Sequence, residues 1–263
     1  MILRTLLALA LVAGAAPALA QDQNGEPQNG QQQNVAFIPR YDFHLGGAHL
    51  SDENPRYNWD ANFGGELDVV DYGLGRFTFW ANYNVVLGQQ LRAFDPNQGN
   101  YVLAGSTSAR IRGIEVAGVF YHQSRHLADR VKQPAVAWNM MGVRVVDEDT
   151  EGRVQWRASG DAWHTVQHAL VDYRWQAIGT GRVQVGVKSR TSWFADGNLQ
   201  VMGVDGSAHR GTQHGYDTDT GVRFDGNAGV IELFVGVERR IDPYPVEFGS
   251  ATWFKAGFRL VSR

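Results

Sequence analysis

Apolar and polar residues alternate along most of this chain, in one segment after another. From Arg182 to Trp193, Val183, Val185, Val187 and Trp193 share one face, and Arg182, Gln184, Lys188 and Arg190 share the other. From Tyr57 to Val69, Tyr57, Trp59, Ala61, Phe63, Leu67 and Val69 oppose Asn58, Asp60, Asn62, Glu66 and Asp68. From Ala169 to Ala177, the apolar face is Ala169, Val171, Tyr173, Trp175 and Ala177, against Asp172, Arg174 and Gln176. A period of two belongs to extended strands, whose successive side chains point to opposite sides of a sheet. The pattern predicts twelve strands, near 35–49, 57–72, 75–90, 100–106, 108–125, 134–147, 152–165, 168–178, 182–195, 213–225, 228–241 and 250–263, with ten as the alternative count.

Strand length then separates two all-β architectures. A soluble sandwich alternates too, but its strands are usually about five or six residues long. Many segments here reach the roughly ten residues that a tilted strand needs to cross a bilayer. Aromatic residues near strand ends (Tyr57, Trp59, Trp193, Phe194, Trp253 and Phe254) fit interfacial girdles. The tight connections at Gly73-Leu74-Gly75, Asp147 to Gly152, Gly179-Thr180-Gly181 and Asp225-Gly226-Asn227 fall at one end. The longer ones, 91–99, 126–133, 196–212 and 242–249, fall at the other. Short periplasmic turns and long external loops are the asymmetry of outer-membrane barrels. The expectation is an all-β, antiparallel transmembrane β-barrel over 35–263, with both chain termini on the periplasmic side.

Composition refines this picture at the N-terminus. Arg4, the apolar run Leu6 to Ala13 and the small-x-small site Ala18-Leu19-Ala20 read as a secretory signal peptide over 1–20. Residues 21–34 are almost entirely Gln, Asn, Gly, Asp, Glu and Pro, and read as a flexible tether. The mean hydropathy of −0.31 is what a barrel with polar residues at alternate positions gives. With no cysteine, disulfides, thiolate metal sites and a cysteine nucleophile are excluded. A formal charge of −3 gives no reason to expect a nucleic-acid partner.

Alternation also assigns a face to each polar residue. On the fifth strand Ile114, Val116, Gly118 and Phe120 form the lipid face, which continues to His122 and Ser124. On the sixth, Ala135, Ala137, Asn139, Met141, Val143 and Val145 form that face. If His122 pairs with Asn139, three polar side chains cluster on the outer wall, because same-face neighbours on a strand lie about 7 Å apart. Polar groups beside hydrocarbon demand a reason. One reason is nearness to the headgroups. The other is a catalytic triad, with Ser124 as nucleophile, His122 as base and Asn139 holding the imidazole in its working tautomer.

The run His122-Gln123-Ser124, followed one loop later by Trp138-Asn139, resembles the catalytic segment of outer-membrane phospholipase A, a twelve-stranded barrel family. The resemblance implies the same roles for His122, Ser124 and Asn139. It also implies calcium-dependent, dimerisation-activated hydrolysis of phospholipid acyl esters, with membrane lipids and a second copy of the chain as partners. The match covers this hairpin and the general architecture. Where the family has Asn-Gly after the serine, this chain has Arg125-His126, beside the place where oxyanion and calcium sites would form. The run Tyr121 to Leu127 also resembles an uncharacterised outer-membrane family with the pattern H-x-S-x-H-L. Lipid A deacylases use an outward H-x-S as well, so the acyl substrate stays open.

Other positions carry weaker chemistry. His126 and Asp129 follow the fifth strand; Asp129 is the calcium candidate, and a solvated loop carboxylate is the simpler reading. His164 and His168 flank an expected external turn and read as surface histidines rather than metal ligands. Asp217 and Asp219 read as lumen-facing with Arg223. Inward charge is expected at Glu66, Asp68, Arg144, Arg157, Asp172, Arg174, Lys188, Arg190, Glu232, Glu238 and Arg259. Two functional classes remain: a lipid esterase, and a non-catalytic barrel acting as a small channel or envelope structural protein.

Overall fold

The computed structural model describes residues 35–90, 92–127, 136–244 and 247–262. The expected signal peptide, the tether and Asp129 lie outside these residues. Twelve antiparallel strands form one closed barrel: β1 (Ala36–Leu50), β2 (Trp59–Asp71), β3 (Arg76–Gly88), β4 (Asp95–Ile111), β5 (Ile114–Leu127), β6 (Val136–Asp149), β7 (Val154–Ala169), β8 (Tyr173–Lys188), β9 (Thr191–Val204), β10 (Gln213–Asp225), β11 (Val230–Ile241) and β12 (Ser250–Val261). Each strand pairs with its sequence neighbours, and β1 closes the cylinder on β12, from His44 opposite Val261 to Leu50 opposite Lys255. Closure gives every strand a paired neighbour on each side, with Ala36 to Asp42 of β1 paired to β2 beyond the β12 seam.

The expected strand count of twelve is correct, and four strands are misplaced in the sequence reading. Gly179-Thr180-Gly181 is not a turn. It lies in the middle of β8, and the chain reverses at Ser189-Arg190 instead. His164 and His168 both lie within β7, with no turn between them. The fourth strand is far longer than expected and turns into β5 at Arg112-Gly113, where both residues have positive φ (54° and 89°). Two successive left-handed residues give a tight hairpin whose twist matches that of its strands. Arg is an unusual first residue for this turn, so no Asn-Gly or Gly-Gly signal marks it.

Two bulges change which residues face inward. An extra residue, Arg174, is accommodated between Tyr173 and Trp175 of β8. Tyr173 and Val171 are therefore buried inside the barrel, not on the apolar outer face, and the Arg174 side chain is exposed. Lys188 and Arg190 sit exposed at the β8–β9 turn rather than in the lumen. The expected aromatic girdle is half right for a simple reason. Adjacent residues on a strand face opposite ways, so Trp193 and Phe254 are exposed while their neighbours Phe194 and Trp253 are buried inside, as is Tyr57.

Outward-facing Phe43, Leu45, Phe79, Phe120, Val143, Leu233 and Phe258 form an exposed apolar wall. Side chains fill most of the interior and leave two polar cavities of about 140 and 220 Å³. Towards the long-loop end, Tyr121, Trp138, Met140, Trp163, Tyr173 and Met202 form one apolar cluster, with Leu50, Tyr57, Val86 and Trp253 as a second. Elsewhere the lumen is laced with ion pairs. The buried Glu232 accepts from Arg182 (2.5 Å), Arg223 (3.0 Å) and Arg259 (3.0 Å). Lys255 bridges Asp217 (2.6 Å) and Asp219 (3.0 Å), as the inward reading of those two carboxylates requires. At the long-loop end Arg210 clamps Asp172 and Asp242 through four hydrogen bonds of 2.7–2.9 Å. Burial works against the charge of this guanidinium, but the two carboxylates hold its pKa above the ordinary arginine value.

Candidate active site

The site is built on the upper, outward face of β4 to β7. In β5, Val119 and Tyr121 are buried inside, while Phe120 is exposed outside. The alternation carries His122, Ser124 and His126 onto the same outer wall. Across the β5–β6 seam, Phe120 pairs with Met141, His122 with Asn139 and Ser124 with Ala137. This register brings His122 and Asn139 into hydrogen-bond contact, with Ser124 two residues along the same face and bonded to His126 rather than His122. On the other side, β4 sets Leu103 opposite His122, Tyr101 opposite Ser124 and Gly99 opposite His126.

Hydrogen bonds order the cluster into a chain. The Asn139 side-chain amide donates to Gln167 Oε1 at 3.0 Å. Its carbonyl oxygen therefore faces His122, 2.6 Å from Nδ1. An amide oxygen only accepts, so His122 carries its proton on Nδ1 and presents a bare Nε2. Gln167 was not anticipated from the sequence. On a regular strand it would share the inward face of Trp163 and Thr165. A bulge that adds Val166 between Thr165 and Gln167 turns it outward beside Asn139. Nothing in the local sequence marks that bulge.

Ser124 faces outward yet is only 9% exposed. Its hydroxyl hydrogen-bonds His126 Nε2 at 3.2 Å. The sequence reading placed His126 in a loop; it lies within β5, two residues beyond Ser124 on the same face. Tyr101 meets the His126 ring edge-on with centroids 5.5 Å apart. A row of rings continues outward along the wall, Tyr101 to Tyr83 at 4.5 Å and Tyr83 to Phe63 at 5.2 Å. Gly99 makes room for it, because a Cβ there would come within 2.6 Å of Tyr83 Oη. Arg125 points the other way. Its guanidinium lies over Trp138 at 5.1 Å and donates to the Asp242 carbonyl at 2.7 Å, which ties the end of β5 to the β11–β12 connection.

The neighbouring wall carries an apolar groove of about 710 Å³, lined by Phe43, Phe63, Phe79, Tyr83, Tyr101 and Leu103. It ends at Tyr101 and Leu103, the cross-strand partners of Ser124 and His122. A calcium site needs six to eight oxygen ligands, carboxylates among them. The described residues next to Ser124 are Tyr101, Arg125, His126 and Ala137, and they do not fit such a site. Among the described residues no group of three or more His, Asp or Glu is placed to hold a metal ion.

No protein-family model matches the chain, and no curated relative matches it. Solved structures do resemble its fold. Outer membrane phospholipase A from Escherichia coli aligns with a TM-score of 0.53 at 11% identity, covering 86% of this chain and 98% of that one. The dimer of Salmonella typhi outer membrane phospholipase with bound calcium aligns with a TM-score of 0.52 at 11% identity, covering 85% and 90%. At this identity the likeness is one of fold: the chain is a closed barrel of the outer-membrane kind.

Proposed function

We propose that this protein is an outer-membrane serine hydrolase of the phospholipase A kind, which cleaves acyl esters of membrane lipids. The observation that carries the reading is the outward chain Gln167–Asn139–His122 beside a sheltered Ser124. Three linked polar side chains and Ser124 beside them, on a wall rich in apolar residues, are costly beside hydrocarbon, and chemistry gives a reason for them. The signal peptide expected over 1–20 would deliver the chain to the envelope, and the apolar outer wall suits a bilayer.

In this reading Ser124 Oγ attacks the ester carbonyl carbon. Its proton passes to an imidazole nitrogen on the same strand, and His122, with Nδ1 held by Asn139, supplies one of the two imidazoles that flank Ser124. The protonated ring then gives the proton to the departing alkoxide. Water releases the acyl group by the same steps in reverse order. The apolar groove ending at Tyr101 and Leu103 supports an acyl substrate, because it offers the chain an apolar bed beside the nucleophile. The calcium and the dimer named for the Salmonella protein are its own; a second copy of this chain is a candidate partner, and no step here is routed through a cation.

The test compares wild type with Ser124→Ala on phospholipid in mixed micelles. Loss of hydrolysis in the variant, with the barrel still folded, is expected. Equal hydrolysis by both removes Ser124 from the mechanism.

A further inference from the structure

Ser124 lies between two imidazoles on one strand, His122 two residues before it and His126 two residues after. The hydroxyl is bonded to the second of them, at 3.2 Å from Nε2. We propose that His126 is a catalytic base in its own right and takes the Ser124 proton when the nucleophile attacks. The inference rests on Ser124 being the nucleophile.

Three features beyond the distance carry it. First, the contact uses Nε2, the ring nitrogen farther from the backbone, which accepts the hydroxyl proton in the tautomer that carries its own proton on Nδ1. Second, the ring is held. Tyr101 packs against it edge-on, Tyr83 backs Tyr101, and Gly99 opposite His126 leaves space for this row. Third, the Ser124 hydroxyl has its hydrogen bond with His126, while the hydrogen bond of His122 is to Asn139. The exposed His126 ring stands on the side of Ser124 nearer the strand end and the long loops.

The proton balance closes with water as the only co-reactant. As the Ser124 Oγ–carbon bond forms, the Oγ–H bond breaks and the proton moves to His126 Nε2. Collapse of the tetrahedral adduct breaks the ester carbon–oxygen bond, and the leaving alkoxide takes that proton. In deacylation a water gives its proton to Nε2 as its oxygen bonds the acyl carbon. Ser124 Oγ recovers the proton as it leaves.

The experiment uses the full-length barrel in detergent micelles, with a fluorophosphonate probe for labelling of Ser124 and phosphatidylcholine for turnover. Four proteins are compared: wild type, Ser124→Ala, His122→Ala and His126→Ala. Heat-modifiable gel migration verifies folding of each. His126→Ala is expected to lose about 10²-fold or more in labelling rate and turnover, the scale of one general base. Free imidazole, entering the exposed gap, is expected to restore labelling. A structural defect would not respond to imidazole. Labelling of His126→Ala at the wild-type rate, or a loss that imidazole leaves unchanged, overturns the inference while Ser124 keeps its role. If Ser124→Ala labels and turns over like wild type, the serine-hydrolase reading itself fails.

Discussion

Asn139 and Gln167 are joined at 3.0 Å across the β6–β7 seam, and this bond decides which end of the Asn139 amide faces His122. Removing the Gln167 amide frees Asn139 to flip and present its NH₂ to Nδ1. A single neutral hydrogen bond is worth about 1 kcal/mol, roughly fivefold in rate. Gln167→Ala is therefore expected to lower kcat on phospholipid by about that factor, and Asn139→Ala by more, since it removes the orienting group itself. Steady-state kinetics in micelles would measure both. A larger loss in Gln167→Ala than in Asn139→Ala contradicts the order of the chain.

Glu232 is buried and faces three arginines, so it sets the charge balance of the lumen. Glu232→Ala removes the one carboxylate shared by Arg182, Arg223 and Arg259, and leaves them only Asp196, Asp225 and Asp219. Removal of one partner from a buried ion pair costs about 3–5 kcal/mol. The expected result is a lower urea midpoint for unfolding in detergent, followed by tryptophan fluorescence. A midpoint equal to that of wild type would show that Asp196, Asp219 and Asp225 suffice to compensate these cations.

The filled interior predicts a sealed barrel. Trp138 and Trp253 are each 1% exposed and lie inside with the apolar clusters, and the ion-paired part of the lumen holds polar cavities of only about 140 and 220 Å³. Reconstitution into a planar bilayer should give no steady open-channel current. A stable large conductance would favour the channel reading over the enzyme.

Gly113 adopts φ of +89° in the β4–β5 turn, and no atom lies where its Cβ would be. Gly113→Ala therefore meets conformational strain alone, about 1 kcal/mol for a left-handed L-residue. Unfolding in urea should show a loss of that size, with hydrolysis unchanged because the turn is at the far end of the barrel from Ser124. No loss of stability would mean that the turn rearranges.

Much of this protein is legible in its sequence because barrel strands obey one local rule. Side chains alternate, so Phe120, His122 and Ser124 share a face whatever the rest of the chain does. The same rule limits the partner of His122 to the lipid-face positions of β6, Asn139 among them, since a one-residue slip of that hairpin would turn one apolar face inward. It fails where backbone geometry departs from regular pleating. Gly179-Thr180-Gly181 has turn composition but runs straight through β8, where the ladder with β7 and β9 holds it extended.

The sequence by itself determined the period, the class of fold and the side of the wall on which Ser124, His122 and Asn139 stand. Those follow from the two-residue repeat, a property of each strand alone. Tertiary structure decided what lies beside them. The bulges at Arg174 and Val166 depend on how neighbouring strands pair, and they bring Tyr173 inside and Gln167 out. The bond from Ser124 to His126 depends on where β5 ends and on the ring of Tyr101 from the next strand. Local pattern sets direction; only the closed sheet sets distance, because partners such as Tyr101, Asn139 and Gln167 come from different strands.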